Sequence, residues 1–269
     1  MFKNVTLGQY FPGESFVHRL DPRTKLLATI ALIAVVFVSS GFAGFIVIAA
    51  FVLLTAMSTG VHLKFLFKGL KPIFFIILFT FILNLFFQQT GEVLVEFWII
   101  KITTGGLRMA GFMAARLILL VVASQLLTLT TSPISLTDGL ESLMRPFTKI
   151  GFPAHEIAMM MSIALRFIPT LMDEADKIMK AQKARGADFE NGNILKRAKA
   201  MIPLLVPLFV GAFRRADELA LAMDARCYRG GEGRTRMNQL KYSHRDAIAC
   251  AVIVALFAAV IAANRFCPF

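Results

Sequence analysis

Residues 26–57 read LLATIALIAVVFVSSGFAGFIVIAAFVLLTAM, a run without a single charged side chain. One helix crosses the ~30 Å hydrocarbon layer with about 20 residues at 1.5 Å per residue, so this run is too long for one span. It is just long enough for two, and Ser39-Ser40-Gly41 is where the chain can turn. Each half then sits near the lower limit for a span, which leaves open a tilted or partly immersed half, or one long bent helix.

Working outward, Pro72 to Phe87 forms a third apolar segment, opened by a proline whose missing N–H costs nothing at a helix start. Leu107 to Thr130 forms a fourth, and Ala247 to Ala263, closed by Asn264-Arg265, the last. The chain of 269 residues is 57% hydrophobic and 17% charged, with 26 Phe against one Trp and three Tyr. Its mean hydropathy is +0.69, well above that of a soluble domain. The fold expected is therefore all-α: a polytopic membrane protein of about five transmembrane helices.

The net charge of +12 is explained by where the cations lie. Basic chains bind nucleic acid, or they are membrane proteins whose Lys and Arg gather in the cytoplasm; the apolar spans select the second reading and exclude nucleic acid as a partner. Arg19, Arg23 and Lys25 precede the first span, and Lys64, Lys68 and Lys71 follow the second. The segment between the third and fourth spans carries Glu92 and Glu96 with only Lys101, and the turn at Ser39 carries none. This asymmetry puts the N-terminal segment, 1–25, and the long segment 131–244 in the cytoplasm, on either side of spans one to four in 26–130, with 245–269 as the last span and an outside C-terminus. With Glu14, His18, Arg19, Asp21 and Arg23 and no apolar core, the N-terminal segment is not read as a cleaved signal, and the first span inserts the chain.

The segment 131–244 reads as a cytoplasmic bundle of amphipathic helices inserted before the last span. Ser135, Thr137 and Asp138 offer caps to a short helix ending near Gly151. From Ile157, apolar residues recur at Met161, Ala164, Ile168, Leu171, Ala175 and Ile178, while Asp173, Glu174, Lys177 and Lys180 fall elsewhere, which gives one amphipathic helix with a kink expected at Pro169. Another helix runs from about Ile194 through Pro203 and Pro207. Both helices finish alike, at Ala184-Arg185-Gly186 and at Ala225-Arg226-Cys227. A cation in a last helical turn meets the negative end of the helix dipole, worth about 0.3–1 kcal/mol, so each arginine is a candidate solvated cap. Small neighbours also leave the guanidinium free to enter a groove and grip a carboxylate, and two such ends suggest a docking surface with two feet. The methionines Met159, Met160, Met161, Met172, Met179, Met201 and Met223 suit core packing, or an adaptable apolar surface for a partner.

Few groups offer chemistry of their own. The spans hold no Asp or Glu; Arg108 near a boundary and Arg116 at depth, both on the fourth, and Asn84 on the third are the polar residues singled out within them. A proton-coupled carrier or intramembrane protease calls for buried carboxylates, a Ser/His pair or a metal cluster, and the sequence shows none. Cys227, Cys250 and Cys267 stand apart, as do His18, His62, His155 and His244, so no metal set, disulfide framework or cofactor is expected. Gly230-Gly231-Glu232-Gly233-Arg234-Thr235 lacks the lysine and setting of a phosphate loop and reads as a loop.

Leu20-Asp21-Pro22-Arg23-Thr24-Lys25, Leu129-Thr130-Thr131-Ser132-Pro133, Leu165-Arg166-Phe167-Ile168-Pro169 and the two Ala-Arg ends together resemble the T component of energy-coupling factor transporters, the family that includes the cobalt-transport protein CbiQ. The likeness covers nearly the whole chain. It implies a non-catalytic subunit in a prokaryotic cell membrane, whose two motif arginines, carried here to Arg185 and Arg226, enter grooves on two ABC-type ATPases. It further implies a small membrane-embedded S component that binds a vitamin or metal ion, resting on the face that bears Met160, Met161, Ile168, Met172 and Met179. Cys227 departs from the family's commoner Gly; the side chain stays small, but a left-handed cap is less favourable there. A membrane scaffold without any link to ATP is the alternative that the sequence leaves standing.

Overall fold

The computed structural model describes residues 10–61, 63–88, 90–97, 100–187, 189, 193–231 and 239–266. The chain forms two compact units, Gly8–Gly139 with Leu240–Phe269, and Leu140–Gln239 with Met1–Leu7.

In the first unit, α1 (Pro22–Val38) and α2 (Phe42–Ser58) are separate helices broken at Ser39–Gly41, where the sequence placed the turn. Away from water, a turn's backbone groups need partners from the protein. Asn264 supplies two, accepting from the Gly41 N–H at 3.3 Å and donating to the Val38 carbonyl at 3.2 Å. Arg116 donates to the Ser39 carbonyl at 3.0 Å, its guanidinium 5.9 Å and 5.7 Å from the ring centres of Phe37 and Phe45. Gly44 makes room for this arrangement, since a Cβ there would lie 2.5 Å from the Ser39 hydroxyl.

The third apolar segment is shorter than expected. It is the 14-residue α4 (Phe74–Phe87), preceded in the lysine-bearing stretch by α3 (Leu63–Leu70), with a 62° bend between them. Residues 93–103, read as an outside loop, contain a two-stranded antiparallel hairpin, β1 (Val93–Phe97) with β2 (Ile100–Thr103). Val93, Val95, Ile100, Ile102 and Thr103 are residues that favour such a ribbon. Every long element is helical, in line with an all-α membrane fold.

Thr103 caps α5 (Thr104–Thr130), accepting from the Gly106 N–H at 3.1 Å while its hydroxyl donates to the Gln88 carbonyl at 2.9 Å. Among the described residues, α5 and α9 (His244–Phe266) are long and apolar enough to cross a membrane alone, and α3 with α4 qualify as one bent span. α1 and α2, at 17 residues each, are the short pair. The core joins Val35 and Val36 of α1, Ile48, Val52 and Ala56 of α2, Leu119 and Ala123 of α5, and Leu256 and Val260 of α9. Small residues such as Ala56 and Ala123 let backbones approach, which matters in lipid because tails are as apolar as the helices.

One end of this unit is tied by a polar cluster. The Asp21 side chain caps α1 by accepting from the Arg23 N–H at 2.9 Å. Asp246 accepts from the Asp21 N–H at 2.9 Å and the Ser243 N–H at 2.8 Å. The buried Lys25 ammonium donates to the carbonyls of His18 and Thr130, each at 2.9 Å. Burial pushes the His18 imidazole below its ordinary pKa, opposed by its hydrogen bond to the Phe11 carbonyl and reinforced by Lys25.

The second unit carries the long helices α7 (Ala154–Ala184) and α8 (Ile194–Ala225); α6 (Pro133–Met144) leads into it through a 3-10 turn, Arg145–Ile150. Pro169 lies inside α7, and Pro203 and Pro207 inside α8. Glu174, grouped by spacing with the solvent-side charges, instead faces α8 and pairs with Arg215. The glycine-rich loop lies outside the described residues from Glu232 to Thr235, as do His62 and Cys267.

Candidate docking site

The last turns of α7 and α8 are built alike down to the hydrogen bond. At the end of α7, the Gly186 N–H bonds to the Lys183 carbonyl at 3.0 Å and the Ala187 N–H to the Gln182 carbonyl at 3.0 Å. At the end of α8, the Cys227 N–H bonds to the Asp224 carbonyl at 2.8 Å and the Tyr228 N–H to the Met223 carbonyl at 3.1 Å. This pair of bonds is the Schellman closure, in which the residue after the cap turns left-handed so that orphan carbonyls find donors.

The three motif positions follow from that geometry. Alanine is the last helical residue, arginine the cap, and the third residue takes the left-handed turn, with φ of 86° at Gly186 and 56° at Cys227. Cys227 is the one non-glycine residue with positive φ among those described. The left-handed turn favours glycine at the third position, which Gly186 meets, whereas Cys227 takes the same turn with a Cβ. A chain that turns left-handed after a cap leaves the cap side chain at the helix tip, and Arg185 and Arg226 are both exposed. No ion pair or hydrogen bond holds either guanidinium among the described residues, so each is available to a carboxylate or carbonyl of another chain.

The methionine face is less open than its spacing suggests. Met160 and Met161 are exposed at 58% and 39%, whereas Ile168, Met172 and Met179 are half-buried. The larger uncovered apolar surface is on α8, where Ile202, Val206, Phe209, Val210 and Phe213 are all more than half exposed. Their spacing of four, three, one and three places them on one helical face, a signal present in the sequence.

Within the first unit, Asn84 donates to the Thr80 carbonyl of its own helix at 2.8 Å, Arg108 is exposed, and Arg116 serves the Ser39 turn. The hydrogen bonds of Asn84 and Arg116 lead to different places, the one within α4 and the other to the Ser39 turn. Among the described residues, no three His, Cys, Asp or Glu side chains are grouped to hold a metal ion.

Comparison with known proteins agrees on one family. Residues 13–237 match the family described as cobalt transport protein, CbiQ. The chain is 55% identical to the energy-coupling factor transporter transmembrane protein EcfT of Clostridium kluyveri over 94% of its length and 95% of that protein's. It is 54% identical to the protein of the same name from Thermosediminibacter oceani, over 98% and 99% of the two chains, and 48% identical to that of Bacillus subtilis, over 99% and 98%. A likeness that spans both chains almost end to end, and takes in both arginine-capped helices as well as the apolar segments, makes this chain a member of the energy-coupling factor transporter transmembrane protein family.

Proposed function

We propose that this chain couples two ABC-type ATPases to a membrane-embedded S component, so that ATP-driven movement of the ATPases drives uptake of a vitamin or metal ion. The supporting observation is the duplicated helix end: two long helices, each closed by the same backbone motif, each presenting one arginine without a partner among the described residues. A solvated cap has no need of a matched twin. A transducer that must follow two subunits does, and α7 and α8 are long helices of 31 and 32 residues.

On this reading Ala184-Arg185-Gly186 and Ala225-Arg226-Cys227 are the feet, each guanidinium entering a groove on one ATPase. The exposed face of α8, with Met160 and Met161, receives the S component. The segments 1–25 and 131–244 lie in the cytoplasm of a prokaryotic cell, and hydrolysis takes place on the partners, which leaves this chain non-catalytic.

Co-purification in mild detergent with the organism's paired ABC ATPases tests this directly. The wild-type chain retains both ATPases, and Arg185→Glu combined with Arg226→Glu loses them while remaining folded and inserted. Failure of the wild-type chain to retain them would return both arginines to the role of ordinary caps. Retention without any dependence of substrate uptake on ATP in vesicles would leave a scaffold.

A further inference from the structure

We propose that Glu174 and Arg215 are positioning residues, whose ion pair pins α7 to α8 and fixes where the two arginine-tipped ends stand relative to each other. The proposal rests on the reading of those ends as docking feet. The pair joins the two helices through Arg215 Nη2 and Glu174 Oε2, with the side chains only 30% and 27% exposed.

The site is shaped for this contact. Gly211, four residues before Arg215, would place a Cβ 3.0 Å from Glu174 Oε1, so the carboxylate lies against the backbone of α8 in space that any side chain would narrow. Leu204, Leu208, Gly211 and Arg215 follow one another at steps of four, three and four, the inner stripe of α8. On α7, Glu174 sits among Leu171, Ala175 and Ile178, its apolar stripe. A charge on each apolar stripe, meeting its opposite, is out of place unless it sets something. Apolar contact alone is non-directional, and helices so packed have neighbouring registers of similar energy. An ion pair between the two stripes favours the register that brings its charges together.

Its position relative to the feet supports that role. Glu174 lies eleven residues before Arg185, and Arg215 eleven residues before Arg226. Eleven residues are close to three turns, about 16 Å, and return to nearly the same azimuth. Each foot therefore stands at the end of an equal lever, in line with the residue that pins it. Loss of the pin leaves each foot intact but lets their relative placement vary, and two sites on a rigid body are gripped together only when that placement fits.

The experiment places spin labels on cysteines at Lys180 and Leu221, both exposed and one turn short of the feet, in the full-length chain with Cys227, Cys250 and Cys267 replaced. Pulsed electron paramagnetic resonance in lipid then gives a narrow distance distribution for the parent. Glu174→Gln and Arg215→Gln each broaden or shift it, and the exchange of Glu174→Arg with Arg215→Glu restores it. Titration with the paired ATPases shows apparent affinity falling roughly two- to fivefold in each single variant and recovering in the exchange. Unchanged distances in both single variants, or no recovery in the exchange, overturn the proposal. So does wild-type affinity in a variant whose distances have broadened. The distance measurement needs no ATPase, so it decides the pin separately from the co-purification that decides the docking.

Discussion

Cys227 holds a left-handed backbone, φ 56°, that an L side chain adopts at a cost of about 1–2 kcal/mol, while the matching position on α7 is Gly186. Cys227→Gly should therefore raise thermal stability by roughly 1 kcal/mol, and Gly186→Ala should lower it by a similar amount, both read from unfolding in detergent. Neither change touches an arginine, so ATPase retention should persist in Cys227→Gly. Equal stability of Cys227→Gly and wild type would mean that the closure at α8 is not held as described. The repetition of Ala-Arg-small was legible in the sequence because it is local. Gly186 already pointed to a left-handed cap, whereas Cys227 argued against one, and the hydrogen bond from the Tyr228 N–H to the Met223 carbonyl shows that α8 closes the same way.

At the scale of elements, the apolar runs announced themselves because charge is excluded from lipid, and the break at Ser39 was visible as the Ser-Ser-Gly turn signal midway through 26–57. What holds the break was not visible: Arg116 and Asn264 lie far along the chain, and no spacing connects them to Ser39 and Gly41. α3 and the hairpin from Val93 to Thr103 escaped notice because segments so short carry too little periodicity to outweigh their flanking lysines and glutamates. The start of α1 shows the same dependence on distant partners. Asp246 satisfies two backbone N–H groups, of Asp21 and Ser243, and is buried. Asp246→Ala leaves both donors without their acceptor and should cost about 1–3 kcal/mol for the buried Asp21 N–H alone, whereas Asp246→Asn keeps an acceptor and should cost less. Thermal unfolding of the two variants side by side gives the order; equal losses would show that the carboxylate charge, rather than the hydrogen bonds, is what α1 requires.

For the whole molecule, the proposed coupling depends on an order of crossings that places both arginine-tipped ends in the cytoplasm. Length and composition single out α5 and α9, with α3 and α4 as a bent third. The full count of five depends on the 17-residue α1 and α2, each about 26 Å and so slightly short of a ~30 Å hydrocarbon layer. Arg116 and Asn264 supply the reason that such short helices can serve. They satisfy the turn carbonyls from inside the protein, so the Ser39–Gly41 turn can sit below the headgroups without water. Single cysteines test the order of crossings, each placed in the chain lacking its native thiols. At Thr90 and Arg265, an impermeant maleimide added to intact cells should label the chain. At Lys68 and Leu221 it should react only after permeabilisation. At Ser40, the depth of the turn makes labelling from outside slow relative to Thr90, and Arg116→Leu, by freeing the Ser39 carbonyl to seek water, should bring the Ser40 rate up toward it. Labelling of Leu221→Cys from outside would invert the topology and remove the feet from the side where ATP is made, taking the coupling reading with it.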